Sequence, residues 1–274
     1  MEYVAMPGLE LTTAERDAVL IVGARGQMGS MLSRRFRESG RMTVEVDTPL
    51  EEPRLHEACG QVQIVLLCVP YAALGDVLRR VTPHMRPGTV LADVTSVKEL
   101  PMRQMERAWS GPVVGTHPLF GPVTAPGQPL RVAVTPGKSS TETALRRVEA
   151  LFAGCGCQVL RVTAEQHDKA AARIQSMNFI STMVYLAMLA EDDSLLPFLT
   201  PSFQRRLAAG RKMIMEDAQL FRSLFEANPY SQEVVRQYTA LLGVAAAGDI
   251  DLLTHRAQWW WRNHEREASA PFVR

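Results

Sequence analysis

Ala18-Val19-Leu20-Ile21-Val22-Gly23-Ala24-Arg25-Gly26-Gln27-Met28-Gly29 is the stretch that decides the fold. Five consecutive apolar residues run into a glycine, as expected of a short strand buried on both faces. Two more glycines follow at intervals of three, and Ser30 to Ser39 reads as a helix that Gly40 stops. Strand, glycine loop and helix in this order make a cradle where backbone amides and the positive end of a helix can hold a pyrophosphate. Gly23, Arg25, Gly26, Gln27, Met28 and Gly29 are the residues this reading places against a dinucleotide. The spacing is GxxGxxG rather than GxGxxG, so the flanking strand and helix carry the inference more than the glycines do.

Outward from this motif, strands are expected at 43–46, 64–69, 89–92, 113–115, 131–135 and 158–162, with a further helix over 141–153. Alternation of this kind predicts an α/β fold, a Rossmann-type doubly wound parallel sheet. Asp47 closes the second strand 24 residues after Gly23. A carboxylate there accepts hydrogen bonds from the adenosine ribose and repels a 2′-phosphate, which favours NAD over NADP. Arg25 is a small argument the other way. Val69 and Pro70 close the third strand and are expected on the nicotinamide side.

At Thr163 the pattern changes to long helical periodicity. Thr163-Ala164-Glu165-Gln166 has the form of a capping box and should open a helix running toward Leu189. Further helices are expected over 203–225, 231–247 and 249–266, giving a second, all-helical domain. The expected organisation is an extension over 1–17, a dinucleotide-binding domain over 18–162 and a helical substrate and dimerisation domain over 163–274.

Composition narrows the classes of function. The chain has 274 residues, 46% of them hydrophobic, and 30 basic against 29 acidic side chains for a net charge of +1. That balance offers no global field for nucleic acid or an anionic membrane, and binding of a small anion needs only a local cluster. Cysteines stand at 59, 68, 155 and 157. The pair at 155 and 157 has one intervening residue where zinc and redox pairs usually have two, so reduced thiols and no metal are expected. No segment approaches the roughly 20 apolar residues of a membrane span, and a cytoplasmic location follows as the expectation.

Two further segments carry chemistry. Gly115-Thr116-His117-Pro118-Leu119-Phe120-Gly121-Pro122 sets a histidine in what reads as a rigid turn, because Pro118 restrains His117 and the glycines permit unusual backbone shapes. Asp93-Val94-Thr95-Ser96-Val97-Lys98 ends another apolar run. Taken in order, the glycine loop, the Ser-Val-Lys turn and the His-Pro segment resemble the prephenate dehydrogenase family. The resemblance implies that His117 is the catalytic base, that Ser96 hydrogen-bonds near it, and that Lys98 matches a family lysine near substrate. Glu165-Gln166-His167-Asp168 and Ile174-Gln175 look like the family's opening of the helical domain, which points to Gln175 as a substrate contact. His167, in a helix's first turns, reads as structural. Where several relatives carry a histidine four residues after the Ile-Gln pair, Phe179 stands here. An arginine near Asp217-Ala218-Gln219-Leu220-Phe221 should grip a substrate carboxylate. Arg211, after Gly210, is favoured over Lys212 because guanidinium suits a bidentate contact.

The activity so implied is NAD-dependent oxidative decarboxylation of prephenate in tyrosine biosynthesis, by a homodimer paired through apolar helical stretches such as 238–247. Arogenate and 4-amino-4-deoxyprephenate are alternative substrates. A β-hydroxyacid dehydrogenase lacks the His-Pro segment, and a dinucleotide-binding regulator without turnover is the reading from another class. No fused mutase is expected ahead of Ala18 and no regulatory domain after the helices.

Overall fold

The computed structural model describes residues 18–125 and 127–262. The extension expected over 1–17 and the end of the last expected helix lie outside the described residues. Seven strands form one sheet: β1 (Val19–Val22), β2 (Thr43–Val46), β3 (Ile64–Leu67), β4 (Val90–Asp93), β5 (Val113–Pro118), β6 (Arg131–Pro136) and β7 (Gln158–Arg161). Their order is β2-β1-β3-β4-β5-β6-β7. Strands β1 to β5 are mutually parallel, β6 runs antiparallel to β5, and β7 is parallel to β6.

Alternate residues of each strand feed two cores, which is why the runs are continuously apolar. Leu20, Val22, Val65 and Leu67 pack with Leu55, Leu74 and Met102. Those three come from the crossover helices α2 (Glu52–Gly60), α3 (Tyr71–Val81) and α4 (Glu99–Ala108), which the sequence reading left unassigned. On the other face Val19, Ile21, Ile64 and Leu66 meet Leu32 and Phe36 of α1 (Gln27–Glu38) and Val148 and Phe152 of α5 (Glu142–Gly154). Phe36 and Phe152 meet edge to face with centroids 5.5 Å apart, the favoured geometry for two quadrupoles.

After β7 the described residues form helices. The capping box at Thr163 is formed: its hydroxyl accepts from Gln166 N at 3.1 Å while Gln166 Oε1 accepts from Thr163 N at 3.0 Å. It opens α6 (Ala164–Ala171), which continues through a π-helical turn, Ala172–Ser176, into α7 (Met177–Met188). The single helix expected over 203–225 is two, α8 (Pro201–Met215) and α9 (Ala218–Ala227). The carbonyl of Lys212 accepts from both Glu216 N at 3.0 Å and Asp217 N at 3.1 Å, so the ladder ends there. Helices α10 (Ser231–Ala246), α11 (Ile250–Ala257) and α12 (Trp259–Arg262) follow. The chain divides into two compact units, one through Pro229 and one from Tyr230. No helix of the described residues is long and apolar enough to cross a membrane.

Candidate active site

Strand register decides where chemistry can sit. Val46, Val22, Leu67, Asp93 and Gly115 lie in one row across β2, β1, β3, β4 and β5. Because these strands are parallel, the residues just past that row share the carboxyl edge of the sheet. Asp47, Gly23, Val69, Ser96 and His117 all fall beyond it. Strand order reverses at β1, so the edge between β1 and β3 is the switch point where open α/β sheets take ligands.

Two glycines there have no substitute. Gly23 has φ of +89°, and a Cβ on it would stand 2.5 Å from the Cys68 carbonyl oxygen and 3.0 Å from Val69 Cγ1. A Cβ on Gly29 would stand 2.1 Å from the Gly23 carbonyl oxygen. Helix α1 starts after Gly26 with no side-chain cap, which leaves its first N–H groups open to an anion. Arg25, Gly26 and Gln27 are exposed on this loop. Met28, expected at the cofactor, is half-buried and packs against the core that α1 and α5 share. Pro70 is exposed at the start of α3.

Asp47 is fixed from several sides. One carboxylate oxygen accepts from Arg25 N at 2.7 Å and the other from Thr48 N at 2.8 Å. The Arg25 guanidinium stands 3.5 Å from Asp47 Oδ1 and donates to the Thr48 carbonyl. Burial pushes the carboxyl up, but these N–H groups and the guanidinium outweigh it and hold its pKa below the ordinary value. Asp47 therefore stays charged at neutral pH.

His117 sits on β5 rather than in a turn, 4% exposed. Gly115 serves packing there: its φ is not positive, and a Cβ would press within 2.6 Å of Met102 Sδ and 3.1 Å of Lys98 Cδ. His117 Nδ1 lies 2.8 Å from His167 Nε2. His167 Nδ1 lies 2.7 Å from Asp168 Oδ1. Asp168 also caps α4 from outside, its two oxygens accepting from Lys98 N at 2.7 Å and Glu99 N at 2.8 Å, where a helix favours negative charge. His117 Nε2 makes no hydrogen bond among the described residues. Burial first, then the neighbouring His167 and the Lys98 ammonium, hold the His117 pKa well below its ordinary 6.5. The ring is thus a neutral acceptor at physiological pH.

Lys98, expected at the substrate, turns its ammonium inward to protein partners. It is 0% exposed, and its ammonium donates to both Asp93 oxygens at 2.7 Å and to the Thr116 carbonyl at 2.6 Å. It ties the end of β4 to β5 one residue before His117. The contact of His167 with His117 is not legible in the sequence, since only the fold brings together two residues 50 positions apart.

A small crevice joins other expected residues. Ser96 and Gln175 line it together with Val97, Ser176, Phe221 and Asn228. Ser96 is half-buried, and its hydroxyl makes no hydrogen bond among the described residues. Gln175 reaches the crevice from the π-helical turn, a feature that often marks a functional site. Phe179 is buried and stacks on Phe221 with centroids 5.1 Å apart and planes 11° from parallel. Arg211 and Lys212 do not line the crevice; both are exposed, and Lys212 Nζ lies 3.8 Å from Asp217 Oδ2. Among the described residues no cluster of side chains could hold a metal ion.

A neutral histidine fixed at the edge that carries a nucleotide cradle is the arrangement of a dinucleotide-binding oxidoreductase. Residues 38–161 match the family model described as prephenate dehydrogenase, nucleotide-binding domain. Over 272 residues the chain is 26% identical to the T-protein of Enterobacter agglomerans, covering 94% of this chain and 71% of that one. It is 28% identical over 191 residues to a 4-amino-4-deoxyprephenate dehydrogenase of Streptomyces pristinaespiralis, covering 63% of each. The fold is similar to that of the A. aeolicus prephenate dehydrogenase in complex with hydroxyphenyl propionate and NAD+, with a TM-score of 0.77, 16% identity and coverage of 94% and 99%. Residues 38–161 therefore carry the nucleotide-binding domain of the prephenate dehydrogenase family. The chain spans 71%, 58% and 42% of the lengths of three curated relatives.

Proposed function

We propose that the protein is an NAD-dependent dehydrogenase that converts prephenate to 4-hydroxyphenylpyruvate and carbon dioxide, a step of tyrosine biosynthesis. The observation that carries this reading is His117, a buried neutral imidazole with Nδ1 engaged and Nε2 open. Residues 18–162 would hold the dinucleotide and residues 163–274 the substrate and a second copy of the chain. The exposed Tyr238, Leu241 and Leu242 on α10 suit such a homodimer contact.

The cradle fits NAD, because Gly23 and Gly29 leave the backbone bare where a Cβ would collide and Asp47 is a charged acceptor for ribose hydroxyls. When bound, NAD supplies the hydride acceptor. His117 Nε2 takes the proton of the ring hydroxyl, and loss of the ring carboxylate as carbon dioxide completes aromatisation. The Ser96 hydroxyl orients that ring hydroxyl, Gln175 contacts the substrate, and Arg211 holds a carboxylate, with Lys212 as the other candidate in that helix.

Cofactor preference tests the cradle. Turnover with NAD should exceed that with NADP, and Asp47→Ser should narrow the difference, because it removes the repulsive carboxylate and releases Arg25 toward a 2′-phosphate. Initial rates with both cofactors check this; equal efficiency in the unaltered protein would mean that Asp47 does not face the ribose.

Arogenate and 4-amino-4-deoxyprephenate remain a second reading, favoured by the Phe179–Phe221 stack where a polar contact to substrate was expected, and by the likeness to the Streptomyces relative. The purified protein should be given NAD with prephenate, arogenate and 4-amino-4-deoxyprephenate in turn, following cofactor reduction. Fastest reduction with prephenate supports the proposal, preference for either amine replaces the substrate, and no reduction with any points to a regulator that binds NAD without turnover.

A further inference from the structure

The hydrogen bonds behind His117 fix where its protons lie. Both oxygens of Asp168 accept backbone N–H groups, from Lys98 and Glu99, so the carboxylate meets His167 Nδ1 as an acceptor and that nitrogen carries the proton. A neutral His167 then has a bare Nε2. At 2.8 Å it can only accept from His117 Nδ1, which must be the protonated nitrogen of that ring. Neutral His117 is left with a bare Nε2. The rings stand 68° apart with centroids 5.0 Å apart, so they meet by this bond rather than by stacking.

We propose that His167 and Asp168 are positioning residues, a two-member relay that holds His117 in the tautomer with Nε2 unprotonated and sets a carboxylate behind the imidazolium formed when Nε2 takes the substrate's proton. The inference rests on the reading of His117 as the base. Several features support the relay. Asp168 is 0% exposed and His167 is 5% exposed, so water does not compete for either. Asn228 Nδ2 donates to the Asp168 carbonyl at 2.8 Å, which secures this turn of α6. The other charged groups packed near His117 are Lys98 and its partner Asp93, which bind each other. Asp168 is therefore the carboxylate in line with the imidazole through His167. It also holds the start of α4, just after Ser96, so base and neighbouring hydroxyl share one anchor.

The test is Asp168→Asn. The amide oxygen can still accept a backbone N–H, but the NH2 group can turn toward His167 Nδ1, which reverses each proton and leaves His117 protonated on Nε2. A carboxylate-to-amide change of this kind behind a catalytic histidine traps the wrong tautomer. With prephenate and NAD, kcat should fall about 100-fold near pH 7, while KM for NAD and the melting temperature change little. In ¹⁵N spectra of histidine-labelled protein, with His117 assigned by its loss in His117→Asn, the protonated nitrogen should move from Nδ1 to Nε2. His167→Gln, whose carbonyl oxygen can accept from His117 Nδ1, should retain more kcat than His167→Phe, and this pair leaves the Asp168 cap on α4 in place if Asp168→Asn fails to fold. An unchanged tautomer with unchanged kcat in Asp168→Asn, or equal losses in the two His167 variants, would overturn the relay. Near-normal turnover of His117→Asn would instead overturn the assignment of the base, and the spectra would still report the tautomer.

Discussion

His117→Asn is expected to lower kcat by roughly 100- to 10,000-fold, the range for removing a general base. The amide is smaller than imidazole and polar, so it can keep a hydrogen bond to His167 without offering a basic nitrogen. NAD affinity and the melting temperature should therefore hold. The pH profile supplies an independent reading. Burial, with His167 and the Lys98 ammonium beside the ring, depresses the His117 pKa well below 6.5, so the acid limb of kcat/KM that this residue governs should lie below that value. The same shift acts on stability. As pH falls past about 6.5 the unfolded chain takes up a proton at this histidine before the folded chain does, so the contribution of His117 to stability declines there. Steady-state kinetics from pH 4.5 to 9 would check both; a variant with near-normal turnover would remove His117 from the mechanism and leave the fold untouched.

What the sequence made legible follows from how local each signal is. The apolar run at 19–22 and the glycines behind it encode strand, turn and helix within a dozen residues, and the sheet places them as expected. The end of β2 before Asp47 was readable in the change of its residues, whereas β3 stops at Leu67, two residues short of the close expected at Val69. The helices α2, α3 and α4 were less visible: Leu74, Val77 and Leu78 have helical spacing, but Gly75 and short flanking loops interrupt the pattern. His117 was read as a turn residue because Pro118 and two glycines surround it. In the fold, Gly115 is there to admit Met102 and Lys98, a demand of packing that only tertiary structure reveals.

The same limit explains the relay. His167 and Asp168 looked like residues of a capped helix, and they are, yet their side chains matter for what they meet on β5 and α4. Two adjacent polar residues buried in a helix's first turns were the available signal, since burial of such groups calls for partners. Arg211 and Lys212 are a different case. Their assignment came from likeness alone, both are exposed, and neither joins Ser96 and Gln175 at the crevice.

Lys98→Ala is expected to cost about 3 to 5 kcal/mol of stability, the range for leaving one member of a buried ion pair without its partner. Asp93 and Lys98 are both 0% exposed. Burial pulls the Lys98 pKa down, and Asp93 and Asp168 oppose that pull, so the ammonium depends on the carboxylates around it. Asp93 would retain bonds from Thr95 N at 3.0 Å and Thr116 N at 3.3 Å, which favours the lower part of the range. For a domain of this size that corresponds to a fall in melting temperature of roughly 10 °C. Lys98→Met, which fills more of the space, should recover the part due to the cavity, and adding Asp93→Asn to it should recover part of the charge penalty. Thermal melts of the three variants separate volume from charge. If Lys98→Ala instead kept its melting temperature and raised KM for prephenate, the lysine would be a substrate ligand, and its ammonium would have to leave Asp93 and the Thr116 carbonyl to act as one.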